Sequence, residues 1–156
     1  MPRRYYPRRY VVNRDKYSVQ QNTFRLLLTS QNPQNNIVCV PDSATEGMRK
    51  VKHLTISLGN ITGSGVLYWA LVFVPAGYSP NSINIPSQNA GGSLYEPNQF
   101  VMNCGCLDID AGPCRISSPV ARNLNSGDSI QCIIAAPGLS SQVDVTGIVK
   151  YAITLQ

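Results

Sequence analysis

A chain of 156 residues with 43% hydrophobic content suffices for one domain with a proper core and for little else. Charged residues make up only 13%, about half the share usual in a soluble domain, which suggests surface destined for burial against other subunits. The net charge of +5 is uneven: residues 1–25 hold Arg3, Arg4, Arg8, Arg9, Arg14, Lys16 and Arg25 against Asp15 alone, while the remainder is slightly acidic, so a polyanionic partner is expected for the amino-terminal end only.

The basic start is followed by YVVNRDKYSVQQN, which lacks the apolar segment a signal peptide needs. The longest apolar run, 65–76, is too short for a membrane span, and no membrane insertion is expected. Five cysteines, an odd number with no secretion signal, read as free thiols in a reducing compartment.

In chain order, residues 1–16 repeat a Pro-Arg-Arg-Tyr theme. Proline and like-charge repulsion deny them a packed structure of their own, so they are read as an extended arm, with a folded domain over 17–156. Eight strands are expected, roughly at 18–29, 36–40, 50–58, 65–74, 98–106, 113–118, 128–135 and 143–155. The last has the clearest period of two, with Val143, Val145, Val149, Tyr151, Ile153 and Leu155 on one face. GVLYWALVFV at 65–74 is apolar on both faces, as in a strand covered from both sides. SQNPQNN, PAGYSPNS, IPSQNAGGS and NLNSGD punctuate the strands, because Gly and Asn tolerate positive φ and Pro removes a ladder donor. No segment carries a helical period. The expected fold is all-β, a single jelly-roll sandwich of about eight antiparallel strands behind the basic arm. The long or glycine-, proline- and asparagine-rich stretches 75–97 and 107–113 are expected at the outer surface and around symmetry axes.

Between residues 70 and 136 a series of motifs runs in order: ALVFVPAG at 70–77, SLYEPNQFV at 93–101, AGPCRISSP at 111–119 and ARNLNSGDSI at 121–130. With the start MPRRYYPRRY, this series resembles the capsid proteins of circular Rep-encoding single-stranded DNA viruses, the group that includes the circoviruses. The resemblance covers most of the chain. It implies a single jelly roll, an icosahedral shell of about sixty copies with one subunit per asymmetric unit, and packaging of a small circular single-stranded DNA genome. It further implies residence in the virion, assembly in the host nucleus or cytoplasm, a nuclear-import receptor and a cell-surface receptor. The chain is short for the group, and its arm is less basic than the long arginine runs of circoviruses.

The arm carries the chemistry. Arg3, Arg4, Arg8, Arg9, Arg14 and Lys16 can track an irregular phosphate backbone, and arginine offers a planar, always-charged fork. Tyr5, Tyr6 and Tyr10 alternate with the arginine pairs and can stack on unpaired bases of any identity. Charge with stacking favours single-stranded, sequence-tolerant binding; the bland alternatives are a solvated basic tail or a nuclear-import signal alone. Sixty arms at +5 supply roughly 300 positive charges, less than one per phosphate for a genome of a kilobase or more. Counter-ions or inner-wall residues must supply the rest, with Arg25, Arg49, Lys50, Lys52, Arg115 and Arg122 as candidates.

Cys104, Cys106 and Cys114 near Asp108 and Asp110 invite a metal reading. The Cys-x-Cys spacing is short for zinc, a fourth ligand would have to be His53, and a calcium site on the aspartates lacks a visible set of oxygen ligands. The preferred reading is no metal and no cofactor: cysteines as small core hydrophobes, aspartates in a turn. His53, the sole histidine, is placed on one face of strand 50–58 with Val51 and Thr55, at the surface or an interface. Asn60-Ile61-Thr62 is formally a glycan acceptor, expected to stay bare without secretion. With no phosphate-cradling loop, no defensible carboxylate pair and no nucleophile motif, no enzymatic activity is expected. Two rivals stand beside the capsid reading. A small cellular β-barrel nucleic-acid-binding protein with a basic tail would carry basic and aromatic residues on strand faces. A secreted jelly-roll trimer of the lectin or cytokine kind leaves the arm without a purpose.

Overall fold

The structure, a computed structural model, describes residues 17–80, 100–119, 121–139 and 141–155. Among these it contains nine strands: β1 (Ser18–Leu28), β2 (Gln34–Val40), β3 (Arg49–Thr62), β4 (Val66–Val74), β5 (Phe100–Asp108), β6 (Cys114–Ser118), β7 (Arg122–Leu124), β8 (Ser129–Ala135) and β9 (Val143–Leu155). The eight expected strands are present within a few residues of their expected ends. The ninth, β7, is three residues long and pairs with the start of β3, and so short a strand leaves no periodic signal in the sequence.

Two antiparallel sheets pack face to face. One runs β1-β9-β3-β6 with β7 also on β3; the other runs β2-β8-β4-β5. The chain changes sheet at every step except β4 to β5 and β6 to β7, so β2, β4 and β8 each have their sequence neighbours on at least one side in the opposite sheet. This alternation wraps the sandwich as a jelly roll. Ser18–Leu28 pairs without a break against 153 down to 143, which fixes β1 as the edge of its sheet beside β9.

The core is the inward row of each strand. Leu26 and Leu28 of β1, Val51, Leu54, Ile56 and Leu58 of β3, and Val143, Val145, Val149 and Tyr151 of β9 meet Ile37, Leu67, Leu71, Ile130, Cys132 and Ile134 from the facing sheet. β4 is buried on both faces over part of its length, as its composition suggests. Leu67, Leu71 and Phe73 join the main core, while Ala70, Val72 and Val74 form a second cluster with Ile133 and Ala135 on the other side of the same sheet. Val66 and Tyr68, at the start of the strand, are exposed.

Of the stretches expected to be outer loops, 81–97 lies outside the described residues. The 107–113 stretch is less of a loop than expected. Leu107 and Asp108 finish β5, and Ile109 is buried at 2% exposure with its N–H donated to the Gly65 carbonyl at 2.9 Å. A short 3-10 turn then covers Ile109–Ala111, capped by the Asp108 carboxylate, whose Oδ1 accepts from the Asp110 N–H at 3.0 Å.

Candidate nucleic-acid interface

The nine arm residues expected to contact nucleic acid, Arg3, Arg4, Tyr5, Tyr6, Arg8, Arg9, Tyr10, Arg14 and Lys16, lie outside the described residues. What the structure does fix is the root of the arm. Tyr17 directly precedes β1, and the Lys52 ammonium lies 4.6 Å from the centre of its ring, a cation–π contact that ties the root to the outer face of the β1-β9-β3-β6 sheet.

That outer face is built by register. In β1 and β9, side chains alternate between core and solvent, so Val19, Gln21, Thr23 and Arg25 share a face with Ala152, Lys150, Ile148 and Thr146, their cross-strand partners. β3 adds Lys50 opposite Thr154, Lys52 opposite Ala152, Thr55 opposite Lys150 and Ser57 opposite Ile148. β6 completes the rows with Ser117 opposite Thr55 and Arg115 opposite Ser57. Among the described outward residues of these strands the cations are Arg25, Lys50, Lys52, Arg115 and Lys150, and the only carboxylate is Asp144. Five cations against one carboxylate leave this face at +4.

Asp144 is engaged at one end of the face. The Arg25 guanidinium grips it through two nitrogens, with Nε donating to Oδ1 at 3.1 Å. This hydrogen bond holds the Asp144 carboxyl below its ordinary pKa and raises that of Arg25.

A depression of about 500 Å³ sits in the middle of this face, lined among others by His53, Thr55, Ser57, Arg115, Ile148 and Lys150. Arg115 leans inward over it, its Nη2 donating to Thr55 Oγ1 at 3.4 Å. Lys150 stands on the opposite side, because β9 and β6 flank β3.

His53 enters the depression through a backbone irregularity. Between the pairs Lys52–Ala152 and Thr55–Lys150, β3 advances one residue more than β9, a bulge, and His53 occupies it with φ 54°. The extra residue resets the alternation: Val51 and Leu54 both point inward, while Lys52 and His53 both point out. The sequence expectation that grouped His53 with Val51 is therefore wrong, since strict alternation does not survive a bulge. No periodicity argument finds such a site; a histidine within a run of otherwise regular alternation is the only trace.

Two of the six inner-wall candidates serve the fold instead. Arg49 is 7% exposed, and its guanidinium donates to the carbonyls of Pro41 at 3.1 Å and Asp128 at 3.0 Å, which ties the loop after β2 to the turn before β8. Arg122 reaches across the sandwich, its guanidinium carbon 4.3 Å from the Phe73 ring centre and 5.7 Å from that of Phe100. Arg25, Lys50, Lys52 and Arg115 are on the sheet face, joined by Lys150, which the sequence reading passed over.

The cysteines divide. Cys39 and Cys132 are core residues, and burial pushes both thiols up, Cys132 to about 12. Cys104 and Cys106 are exposed and Cys114 is half-buried, which corrects the reading of these three as core hydrophobes: β5, which holds the first two, and β6, which holds the third, are each the last strand of their sheet, so their side chains have less neighbouring structure to cover them. No group of three or more His, Cys, Asp or Glu side chains suited to a metal ion occurs among the described residues. No known protein family matches the chain, and no curated protein is similar to it.

Proposed function

We propose that this chain is the coat protein of a small single-stranded DNA virus, self-assembling into an icosahedral shell and holding its genome through residues 1–16 and the cationic sheet face. One observation carries this reading: Tyr17, which directly follows the basic residues 1–16 in sequence, sits at the margin of the only sheet face that is strongly cationic among the described residues. The strands of the opposite sheet carry no Lys or Arg among the described residues, and they present Val38, Val66 and Tyr68, apolar groups of the sort that a subunit contact covers; the cationic face exposes such groups too, at Val19, Leu27 and Ile148.

The cellular β-barrel alternative gains and loses. It calls for basic residues on a strand face, and Lys50, Lys52, Arg115 and Lys150 meet that. It also calls for a row of aromatic platforms, whereas among the described residues Tyr17 at the margin is the only aromatic ring on this face besides the imidazole. An oligonucleotide-binding fold is a five-stranded barrel, not two separate sheets with jelly-roll connectivity.

The test is assembly and cargo. Purified full-length chain should form closed shells in negative-stain micrographs, with an ultraviolet absorbance ratio that reveals nucleic acid. Deleting residues 2–16 should leave the β-domain folded, since β1 starts at Ser18, and should empty the particles. Only monomer-sized particles across salt and pH would refute the shell, and an unchanged absorbance ratio in intact truncated shells would refute the arm's role.

A further inference from the structure

We infer that the depression between β9, β3 and β6 is a phosphodiester-binding cradle that fixes one stretch of single-stranded nucleic acid on the folded body, independently of the arm; the identity of the strand as packaged DNA rests on the reading above. Arg115, opposite Ser57, and Lys150, opposite Thr55, stand on either side of β3, two strand spacings apart and two residues offset along it, roughly 12 Å between their Cα atoms. Both are exposed, both line the depression, and Thr55 and Ser57 form its floor between them. An anion seated there meets a guanidinium from one side, an ammonium from the other and the Ser57 hydroxyl from below, while the Thr55 hydroxyl donates to the His53 carbonyl at 3.5 Å and accepts from Arg115. Those are the groups that bind phosphate oxygens.

Three further observations favour a nucleic-acid strand over a lone anion. The volume, about 500 Å³, lies in the range of sites for small organic ligands and exceeds what one phosphate needs. Val19 and Ile148 give part of the wall an apolar surface, and the bulge turns the His53 ring outward beside the cations, so a sugar or base has something to lie against. Lys52 and Lys50 continue the charge along β3 towards the arm root, giving an extended strand a path beyond the cradle. The left-handed backbone at a non-glycine residue is the kind of local strain that persists where a side chain has to be aimed. The occupant is not the arm itself, because residues 1–16 are strongly basic and this face repels them.

The experiment uses the full chain and a labelled oligothymidylate of about ten nucleotides, titrated by fluorescence anisotropy over a series of salt concentrations. In Arg115→Gln/Lys150→Gln the slope of log K against log salt should fall by about 1.4, since each phosphate contact on a single strand contributes about 0.7. At about 50 mM salt that corresponds to binding weaker on the order of 50-fold. An oligonucleotide carrying iodouracil should photo-cross-link to the peptide containing His53 in the wild type and in a variant with Arg3, Arg4, Arg8 and Arg9 changed to glutamine, and should lose that cross-link in the cradle variant. Arg115→Lys/Lys150→Arg, which keeps both charges, should retain most of the slope, and matched thermal melts separate lost binding from lost folding. Oligouridylate bound as well as oligothymidylate supports a cradle that reads the backbone.

An unchanged slope with cross-links confined to residues 1–16 would overturn the cradle and leave the coat-protein reading intact. Normal oligonucleotide binding with failed shell assembly would reassign Arg115 and Lys150 to a subunit contact. Tight binding of a heparin oligosaccharide with neither oligonucleotide bound would make the site a glycan site. If the wild-type chain forms shells but binds no strand, the cradle fails together with the genome-binding part of the reading; if it forms no shells yet cross-links at His53, only the coat-protein reading fails.

Discussion

The bulge at His53 makes a quantitative prediction that separates backbone strain from side-chain chemistry. A residue with a Cβ in the left-handed region costs roughly 1–2 kcal/mol, and His53 is the only non-glycine residue at positive φ among those described. His53→Gly removes that penalty but gives the unfolded chain more freedom, which costs about 0.5–1 kcal/mol. The glycine variant should therefore be as stable as the wild type or up to about 1.5 kcal/mol more stable. His53→Ala keeps the Cβ and the strain, and because the imidazole is exposed, it loses little packing. The glycine variant should thus exceed the alanine variant by about 1 kcal/mol, or about 2–4 °C in Tm for a domain of this size. Thermal melts by circular dichroism, supported by urea titration, read the difference directly. Both variants remove the ring from the cradle and should weaken oligothymidylate binding alike. An alanine variant more stable than the glycine variant by about 0.5–1 kcal/mol, the ordinary cost of glycine in a strand, would mean that residue 53 is not held in the left-handed region, and the account of how the ring comes to face the depression would fall.

Three further substitutions or perturbations probe the scaffold and the thiols. Asp128 is 5% exposed and accepts from the Ala76 N–H at 3.1 Å and the Asn125 N–H at 2.8 Å, so Asp128→Ala should cost about 2–4 kcal/mol in urea unfolding and Asp128→Asn clearly less, since one acceptor oxygen remains. Gly147 in the central strand β9 lies against the Ser57 carbonyl, and an added Cβ would sit 2.7 Å from Phe24 Cζ; Gly147→Ala should lower stability by about 1–3 kcal/mol, measured by the same melts, with Gly65→Ala, where space is open but φ is 118°, as a comparison limited to backbone strain. Cys104 and Cys106 should react with a thiol reagent in the native protein, while Cys39 and Cys132 should react only on unfolding; fast labelling of all four would contradict the burial pattern. The folded-state thiol pKa values of Cys39 and Cys132 are raised, so their contribution to stability is complete below the unfolded thiol value near 9.0 and is lost as pH rises, for Cys132 towards about 12; replacing both with alanine or valine should flatten the alkaline loss seen in melts across that range.

The strands were legible because a strand's signal is local. Alternation over 143–155 reports that one face is wet and one is dry, and the doubly apolar 65–74 reports cover on both sides, without any knowledge of the partner strands. The asymmetry of charge, with seven basic residues in the first 25, is likewise a property of the chain alone. The face beside the arm is a different matter. Arg115 and Lys150 are 35 positions apart and become neighbours of one depression only because β6 and β9 pair with opposite sides of β3 in a particular register. A shift of one residue in the β3–β6 pairing would turn Arg115 to the other face, and one in the β3–β9 pairing would do the same to Lys150. Arg49, Lys50, Lys52 and Arg122 look alike in sequence, and the tertiary fold alone sends the first and last into structural contacts and leaves the middle two on the cationic face. The bulge completes the point. One extra residue in β3, decided by how the strand matches β9 rather than by its own composition, puts Lys52 and His53 on the same side and gives the depression its ring.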